Sequence, residues 1–177
     1  MPLKILGLNH NTAPVEIREQ VVFAGDQIPG ALQAVRDIHG VEEAVLLSTC
    51  NRTEFYVMAD HDGRRRLQEW LHDAHNLDPS FANTLFELDD DAALRHIFRV
   101  ACGLDSMVLG EPQILGQLKD AFRDAEGAGT VGKQLSRLFQ HTFSVAKKVR
   151  TDTEIGTSPV SVAYAAVTLA QQFFSDF

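Results

Sequence analysis

Short apolar segments alternate with polar turns in the first half of the chain, and longer segments with helical spacing dominate the second half. The apolar run LKILGLN, residues 3–9, predicts a buried strand closed by a polar loop. Two further runs, residues 43–49 and 53–59, lie on either side of a very short connection. A connection of this length joins antiparallel strands and cannot form a parallel crossover. We therefore expect an antiparallel pair with residues 50–52 at its turn.

Helical spacing and end signals predict most of the remaining elements. Within the segment that follows three aspartates, we place Leu94, Ile97, Phe98 and Ala101 on one apolar stripe. Gly103 and Gly110 bracket a bend before the next helix. The predicted helices span residues 14–23, 26–39, 64–75, 89–102, 112–125 and 134–150, with a short strand at 84–88. The fold class is α+β: a small antiparallel sheet packed with helices, followed by a helical region and a C-terminal linker helix.

Composition adds limits on the class of protein. A chain of 177 residues with 45% apolar and 23% charged residues is typical of a soluble globular protein. A net charge of −8 argues against coating nucleic acid through the summed field. Two cysteines without a CxxC pair, no signal peptide and no apolar stretch long enough to cross a bilayer favour a reduced, cytoplasmic setting.

One of the two cysteines, Cys50, falls at the predicted turn between strands. A free thiol is mostly protonated at neutral pH, and a catalytic cysteine needs a cationic or dipolar environment to increase its thiolate fraction. Arg52, two residues away, could supply positive charge, and strand ends expose side chains. This placement suits a nucleophile. The alternative is that Cys50 is a small packed apolar residue.

Four segments together resemble one family. They are GLNHNTAPVEIRE (7–19), LLSTCNRTEFY (46–56), GLDSMVLGEPQILGQLKDAF (103–122) and FSVAKKVRTDTEIG (143–156). In this order they are similar to glutamyl-tRNA reductase, and the similarity covers essentially the whole chain. The resemblance implies that Cys50 attacks the ester of glutamyl-tRNA and forms a thioester. NADPH then reduces the thioester to glutamate-1-semialdehyde, the first step of five-carbon tetrapyrrole (porphyrin) biosynthesis.

The resemblance also implies a set of substrate-binding residues. Arg52 would hold a glutamate carboxylate, for which a planar guanidinium is a natural bidentate partner. Glu111 would accept from the glutamyl ammonium, although an acidic residue before a helix also complements the helix dipole. Gln113 and Gln117 lie one helical turn apart and so share a face. The implied residues are Thr49, Asn51, Arg52, Ser106, Glu111, Pro112, Gln113 and Gln117.

Histidines supply the other candidates. His96 matches the family's catalytic histidine, and its implied role is to assist the leaving tRNA hydroxyl or to tune the thiol. His10 would approach the site if the first strand lies beside the Cys50 hairpin; otherwise it is a loop histidine that hydrogen-bonds the backbone. His72 and His75 are three residues apart, but no further ligand pattern accompanies them, so we expect no metal site.

The second cysteine and the domain organisation complete the expectations. Cys102 is predicted to be a buried thiol in a helix. No GxGxxG follows a predicted strand, so no NADPH site is expected within the chain. We expect a catalytic glutamyl-tRNA-binding domain at 1–155 and, at 156–177, the lead-in helix of an NADPH-binding domain that is otherwise absent. In the full-length family, the resemblance implies a homodimer formed through a C-terminal domain, and the semialdehyde aminomutase as a further partner.

Two rival readings stay open at this point. The chain could be a generic cysteine esterase or acyltransferase that uses Cys50 with His96 and does not depend on a glutamyl group. It could also be a non-catalytic module that docks tRNA or a partner protein through Lys147, Lys148 and Arg150. Those basic residues also lie near a helix C-terminus, where they stabilise the helix dipole.

Overall fold

A four-stranded antiparallel sheet lies at the centre of the protein. The structure is a computed structural model and describes residues 1–156. The strands lie in the order β2-β3-β1-β4, and each neighbouring pair is antiparallel. This arrangement confirms the predicted α+β class and the predicted hairpin. The strands are β1 (Leu3–Asn9), β2 (Val41–Ser48), β3 (Arg52–Ala59) and β4 (Phe86–Asp89).

Six α-helices surround the sheet in the described part of the chain. The six helices predicted between residues 14 and 150 are all present, but the first is shorter than predicted because the chain turns inward at Phe23. The amide of Phe23 donates to Ser48 Oγ at 3.0 Å, and its ring packs on Phe55. The helices are α1 (Val15–Gln20), α2 (Ile28–Arg36), α3 (His61–Ala74), α4 (Asp90–Cys102), α5 (Gln113–Gly127) and α6 (Lys133–Asp152), with 3₁₀ turns at Pro79–Thr84 and Glu154–Gly156.

Helices cover both faces of the sheet, as β3 illustrates. Successive residues of a strand point to opposite faces. Phe55 meets Trp70 of α3 on one face, whereas Tyr56 meets Phe139 of α6 on the other. Every residue of β3 is buried as a result. Apolar burial on both faces stabilises the strand that carries the site residues, and polar side chains within it must find partners inside the protein.

The buried face of α4 differs from the predicted stripe. Ala93, Ile97 and Val100 are fully buried, while Leu94 is 36% exposed, so placing Leu94 on the core stripe was wrong. The sequence has apolar residues at two overlapping sets of helical positions, and packing against β1 and α6 selects the set that includes Ala93. Cys102 ends this helix and is buried, as predicted. Burial raises the pKa of its thiol.

The segment between α4 and α5 forms a closed loop, residues 103–110. Gly103 and Gly110 both have left-handed backbone conformations, with φ of 76° and 77°. Glycine adopts this conformation without the Cβ clash that other residues meet. The amide of Gly110 donates to the carbonyl of Gly103 at 2.8 Å and closes the loop. The predicted bend therefore has a defined geometry at the start of α5.

Two predictions concern the chain beyond the described residues 1–156. The lead-in helix predicted at 156–177 falls almost entirely outside residues 1–156, and the domain boundary stays a prediction. None of the helices within residues 1–156 combines the length and apolar character needed to cross a membrane.

Candidate active site

The turn between β2 and β3 is stabilised by Thr49 and presents Cys50 to solvent. Thr49 Oγ1 accepts hydrogen bonds from the amides of Asn51 and Arg52, at 3.2 and 3.1 Å. The Thr49 amide donates to the Arg52 carbonyl at 2.8 Å. The backbone of the turn therefore needs no partner from the Cys50 side chain, which is an exposed free thiol. This position leaves the sulfur reachable by a substrate.

Cys50 opens onto a small cavity of about 50 Å³ between the turn, the 103–110 loop and the start of α5. Seven of the eight predicted substrate-binding residues line it, all except Pro112. Pro112 lies just before α5 as its N-cap residue and is exposed. Segments far apart in sequence therefore meet at the thiol. The lining residues are Thr49, Cys50, Asn51, Arg52, Ser106, Met107, Glu111, Gln113, Ile114 and Gln117.

Arg52 is buried and its guanidinium is shared by two acidic residues. Nη1 donates to Glu54 Oε1 at 2.8 Å and lies 3.3 Å from Asp105 Oδ2, and Nη2 donates to the Asp105 carbonyl at 2.5 Å. These contacts fix the guanidinium at the wall of the cavity. They also mean that part of its positive charge is balanced within the protein. Its predicted role in holding a glutamate carboxylate stays a prediction.

Glu54 links Arg52 to two further polar side chains. Its carboxylate is completely buried and accepts a hydrogen bond from Tyr56 Oη at 2.5 Å, and His96 Nε2 lies 3.0 Å from the same oxygen. Burial alone would raise the pKa of Glu54. The hydrogen bond from His96 and the charge of Arg52 outweigh it, so the pKa lies below its ordinary value. Glu54 is therefore ionised at neutral pH.

The ionised state of Glu54 determines the role of His96 Nε2. A carboxylate can only accept hydrogen bonds, so Nε2 of His96 must carry the proton in this contact. Nδ1 is then the nitrogen available for proton transfer when the imidazole is neutral. The ring lies 5.1 Å from that of Phe86, which restricts its movement. His96 does not line the Cys50 cavity, and it connects to the site through Glu54 and Arg52.

His10 lies beside the Cys50 turn because β1 pairs with β3, but it is not among the residues that line the cavity, and its approach to a substrate stays a prediction. Its amide donates to the Asn51 carbonyl at 3.0 Å, so it lies against the Cys50 turn. Burial lowers the pKa of His10, and the charge of Arg52 lowers it further. On the other side of the turn, Arg18 Nη1 donates to Asn51 Oδ1 at 2.9 Å. Asn51 is thus held from both sides.

Ser106 and Arg150 belong to the side of the cavity formed by the 103–110 loop. Ser106 Oγ is buried and has no hydrogen-bond partner among the described residues, so it is available to a substrate. Arg150 donates to the carbonyls of Gly110 and Glu111, at 3.3 and 2.5 Å. Arg150 therefore anchors the loop. Of the three basic residues predicted to dock tRNA or a partner protein, Lys147 and Lys148 are the exposed ones.

Glu54, Tyr56 and Asp105 are site residues that the sequence reading missed. A usable signal existed for the first two, because Arg52, Glu54 and Tyr56 alternate along one face of an otherwise apolar strand. Buried polar residues on one face require partners, and this predicts a network. No comparable signal identifies Asp105, which lies 53 residues from Arg52 in sequence.

Larger cavities occur elsewhere but hold none of these groups. One of about 530 Å³ lies between α3 and the Pro79–Thr84 turn, and one of about 760 Å³ lies between α4 and α6. Neither is lined by a cysteine or by any residue of the Arg52–Glu54 network. Chemistry rather than size therefore selects the Cys50 cavity as the candidate active site.

The described residues do not fit a dinucleotide cofactor. Dinucleotide sites use a glycine-rich turn between a strand and a helix in a parallel βαβ unit. Every strand pair within residues 1–156 is antiparallel, and the GxGxxG match in that stretch, residues 127–132, connects α5 to α6 and does not follow a strand. We therefore derive no step through NADPH from this structure.

The fold and cavity define an α+β domain that presents a hairpin cysteine beside a small cavity with mostly polar lining residues. The chain belongs to the glutamyl-tRNA reductase family, because the family model described as "Glutamyl-tRNAGlu reductase, N-terminal domain" matches residues 6–153.

Individual relatives agree with this family. The chain is 58% identical to the glutamyl-tRNA reductase of Alkalilimnicola ehrlichii, over 100% of this chain and 40% of the relative. It is 57% identical to that of Stenotrophomonas maltophilia, over 99% and 40%. The solved structure of the Methanopyrus kandleri glutamyl-tRNA reductase superimposes with a TM-score of 0.78 at 34% identity, over 96% of this chain and 39% of that one. The chain thus spans about 40% of the length of its curated relatives.

Proposed function

We propose that the described residues carry out acyl transfer from glutamyl-tRNA to Cys50. One observation carries this proposal: the exposed Cys50 thiol shares a small cavity with seven polar residues predicted to bind the glutamyl group. A thiolate suits the chemistry because it attacks an activated ester readily.

In the proposed reaction, Sγ of Cys50 attacks the carbonyl carbon of the ester. A C–S bond forms, the C–O bond to the terminal ribose breaks, and the thiol proton ends on the released ribose hydroxyl. The products are a glutamyl thioester and free tRNA. No oxidant or reductant takes part in this half of the reaction.

Recognition of the glutamyl group would come from opposite sides of the cavity. Ser106 Oγ has an unused hydrogen-bonding capacity. Arg52 retains N–H groups beyond those bound to Glu54 and Asp105, because a guanidinium carries five. Glu111 would accept from the substrate ammonium, and Gln113 and Gln117 would bind the remaining polar atoms.

Glu54 would position the reactive groups rather than touch the substrate. It binds Arg52 through one oxygen and contacts His96 and Tyr56 through the other. This arrangement holds the guanidinium against the cavity and fixes the tautomer of His96. His96 Nδ1 would then take part in proton transfer to the leaving ribose oxygen, a role that requires the ring to approach the bound ester.

For the whole protein, we propose the complete activity: NADPH-dependent reduction of the thioester to glutamate-1-semialdehyde, the entry step of tetrapyrrole biosynthesis. The described residues supply the nucleophile and glutamyl recognition, whereas the cofactor requires residues outside them. A division into a catalytic domain at 1–155 and the start of an NADPH-binding domain at 156–177 belongs to this proposal. So do a homodimer and contact with the semialdehyde aminomutase.

Covalent trapping tests the acyl transfer. Glutamyl-tRNA labelled in the glutamyl group is mixed with the chain, quenched in acid and analysed by intact-protein mass. We expect an adduct on the wild-type chain and its loss in Cys50→Ser with folding intact. Cys102→Ser is the matched control, because Cys102 is buried and should leave the labelling unchanged. An adduct that persists in Cys50→Ser would remove the nucleophile.

A second comparison separates this function from a generic cysteine esterase. The reductase reading predicts that glutamyl esters acylate Cys50 much faster than alanyl esters of the same alcohol. Equal rates for both esters would favour the generic esterase.

A further inference from the structure

The 103–110 loop carries an unusual amount of exposed apolar surface beside the candidate active site. Met107 and Leu109 are 61% and 62% exposed, the highest values among the large apolar residues within residues 1–156. Leu104 in the same loop is 36% exposed. Single exposed apolar residues are common on protein surfaces, but a concentration of them in one loop marks a contact site.

The exposure is built into the fold by anchors at several points of the loop. The Gly110 amide donates to the Gly103 carbonyl and closes the loop. Asp105 is bound to Arg52, and Arg150 binds the carbonyls of Gly110 and Glu111. These contacts hold the backbone while Met107 and Leu109 project outward. The apolar side chains are thus presented on an ordered support, which reduces the entropic cost of binding a ligand there.

Met107 also belongs to the Cys50 cavity. It lines the cavity together with the thiol and Ser106. The residues proposed to bind the glutamyl group line the cavity, so the glutamyl group takes the space inside it. When the ester carbonyl lies at Sγ of Cys50, the alcohol part of the ester must therefore lie at the mouth of the cavity. In an aminoacyl-tRNA this alcohol is the ribose of the terminal adenosine, which carries an adenine base.

Resting on the proposed acyl transfer, we propose that Met107 contacts the adenine base of the terminal adenosine of the substrate, with Leu109 beside it. A thioether is polarisable and makes favourable contacts with aromatic rings. The base has no comparable apolar surface inside the cavity, whose other lining residues are mostly polar.

This contact would have a defined purpose. Every tRNA ends in the same adenosine, so the contact cannot select one tRNA over another. It favours an acyl group attached to a nucleoside over the same acyl group in a free amino acid ester. Met107 is therefore a specificity-determining residue for the leaving group, and the polar residues of the cavity determine the acyl group.

The test uses two glutamyl esters that differ only in the base. One is the 3′-O-glutamyl ester of adenosine, and the other is the equivalent ester of 1,4-anhydroribitol, which has the ribose ring without adenine. Second-order rate constants for acylation of Cys50 are measured by intact-protein mass on the 177-residue chain. We expect the adenosine ester to react faster by roughly two- to tenfold, the range that one thioether–aromatic contact provides.

Variants assign this base effect to Met107. Met107→Ala should reduce the ratio of the two rates towards one, and the ratio isolates the effect of the base because the two esters share the acyl group and the ribose ring. Met107→Leu should restore most of the ratio, since it keeps an apolar side chain of similar size. Leu94→Ala is the matched control, because Leu94 is an exposed apolar residue of α4 that does not line the cavity.

Each contrary outcome is distinguishable. Equal rates for both esters on the wild-type chain, or an unchanged ratio in Met107→Ala, overturns the adenine contact while acyl transfer stands. Acylation by neither ester overturns the proposed function, and the inference falls with it. Equal rates combined with self-association that Met107→Ala abolishes, measured by sedimentation, would assign the loop to contact with a second copy.

Discussion

Arg52 and Glu54 form an ion pair on one face of β3, with 2.8 Å between Nη1 and Oε1, and their side chains are only 2% and 0% exposed. The pair is part of a network in which Tyr56 and Asp105 complete the hydrogen bonding. A buried pair of this kind is sensitive to loss of either member, because the remaining charge is left without compensation.

Replacing Glu54 with glutamine should destabilise the protein and slow acylation of Cys50. The amide keeps the size of the side chain but removes the negative charge that compensates Arg52. We expect a loss of about 3 kcal/mol in the free energy of unfolding. Urea unfolding followed by circular dichroism measures this value.

Tyr56→Phe provides the comparison for that variant. It removes one hydrogen bond to Glu54 and leaves the ion pair intact, so the expected loss is about 1 kcal/mol. If Glu54→Gln destabilises the protein no more than Tyr56→Phe, the charge on Glu54 is not what holds the network together.

The lowered pKa of Glu54 predicts a loss of stability in acid. A carboxyl whose pKa is lower in the folded state than in the unfolded state binds fewer protons when folded. The stability that it contributes is complete above its ordinary value of 4.5 and is lost as the pH falls through the lower folded value. Urea midpoints measured between about pH 6 and about pH 3 should therefore decrease more steeply for the wild type than for Glu54→Gln. Parallel curves would contradict this assignment.

Two substitutions at His96 separate proton transfer from positioning. His96→Ala removes both the donor to Glu54 and the free ring nitrogen, whereas His96→Gln can keep the donor. If the ring transfers a proton, both variants should acylate Cys50 more slowly by about 100- to 10,000-fold. The measurement is the single-turnover acylation rate, with unfolding free energy determined in parallel. His141→Ala, an exposed histidine of α6, is the control.

The glutamine variant decides the interpretation of this experiment. If His96→Gln restores the free energy of unfolding but Cys50 is still acylated slowly, the result supports proton transfer by His96. Recovery of the wild-type rate in His96→Gln would instead show that the residue acts by holding Glu54.

Gly7 lies opposite Glu54 in the β1–β3 pairing, and a side chain there would disturb the network. A Cβ atom at Gly7 would lie 2.8 Å from Glu54 Cγ and 2.8 Å from the Thr53 carbonyl oxygen. We expect Gly7→Ala to lower the free energy of unfolding by about 1–3 kcal/mol, as overpacking in a core does. Urea unfolding measures the change.

Gly30→Ala is the matched control for this substitution. Gly30 lies in α2, and a Cβ there meets nothing within 4 Å. Alanine should stabilise that helix by about 0.5–1 kcal/mol. A Gly7→Ala protein as stable as Gly30→Ala would show that β1 shifts easily away from Glu54.

Much of this architecture could be predicted because it depends on local patterns. The short connection around Cys50 predicts the hairpin, and helical spacing predicts α4, α5 and α6. The burial of Cys102 followed from its position in a helix. Leu94 shows the limit, because an apolar residue beside a core stripe can face solvent when a neighbouring residue packs better.

The candidate site was predictable where one segment contributes several residues, and was not where distant segments meet. Gln113 and Gln117 share a helical face, and both line the cavity. The partnership of Arg52 with Asp105 depends on how the 103–110 loop packs against β3, and no local pattern encodes it. Glu54 is not among the predicted site residues, although its alternation with Arg52 and Tyr56 on one face of the strand is a signal for a buried polar network.

The hydrogen bonds from Arg150 to Gly110 and Glu111 connect the C-terminal end of α6 to the rim of the cavity. A tilt of that helix end would pull the rim with it and change the spacing between Glu111 and the thiol. Reactivity at Cys50 should therefore respond to forces applied at a helix that contributes no residue to the chemistry. Through these hydrogen bonds, a change at the end of α6 would alter how easily an ester reaches the sulfur of Cys50.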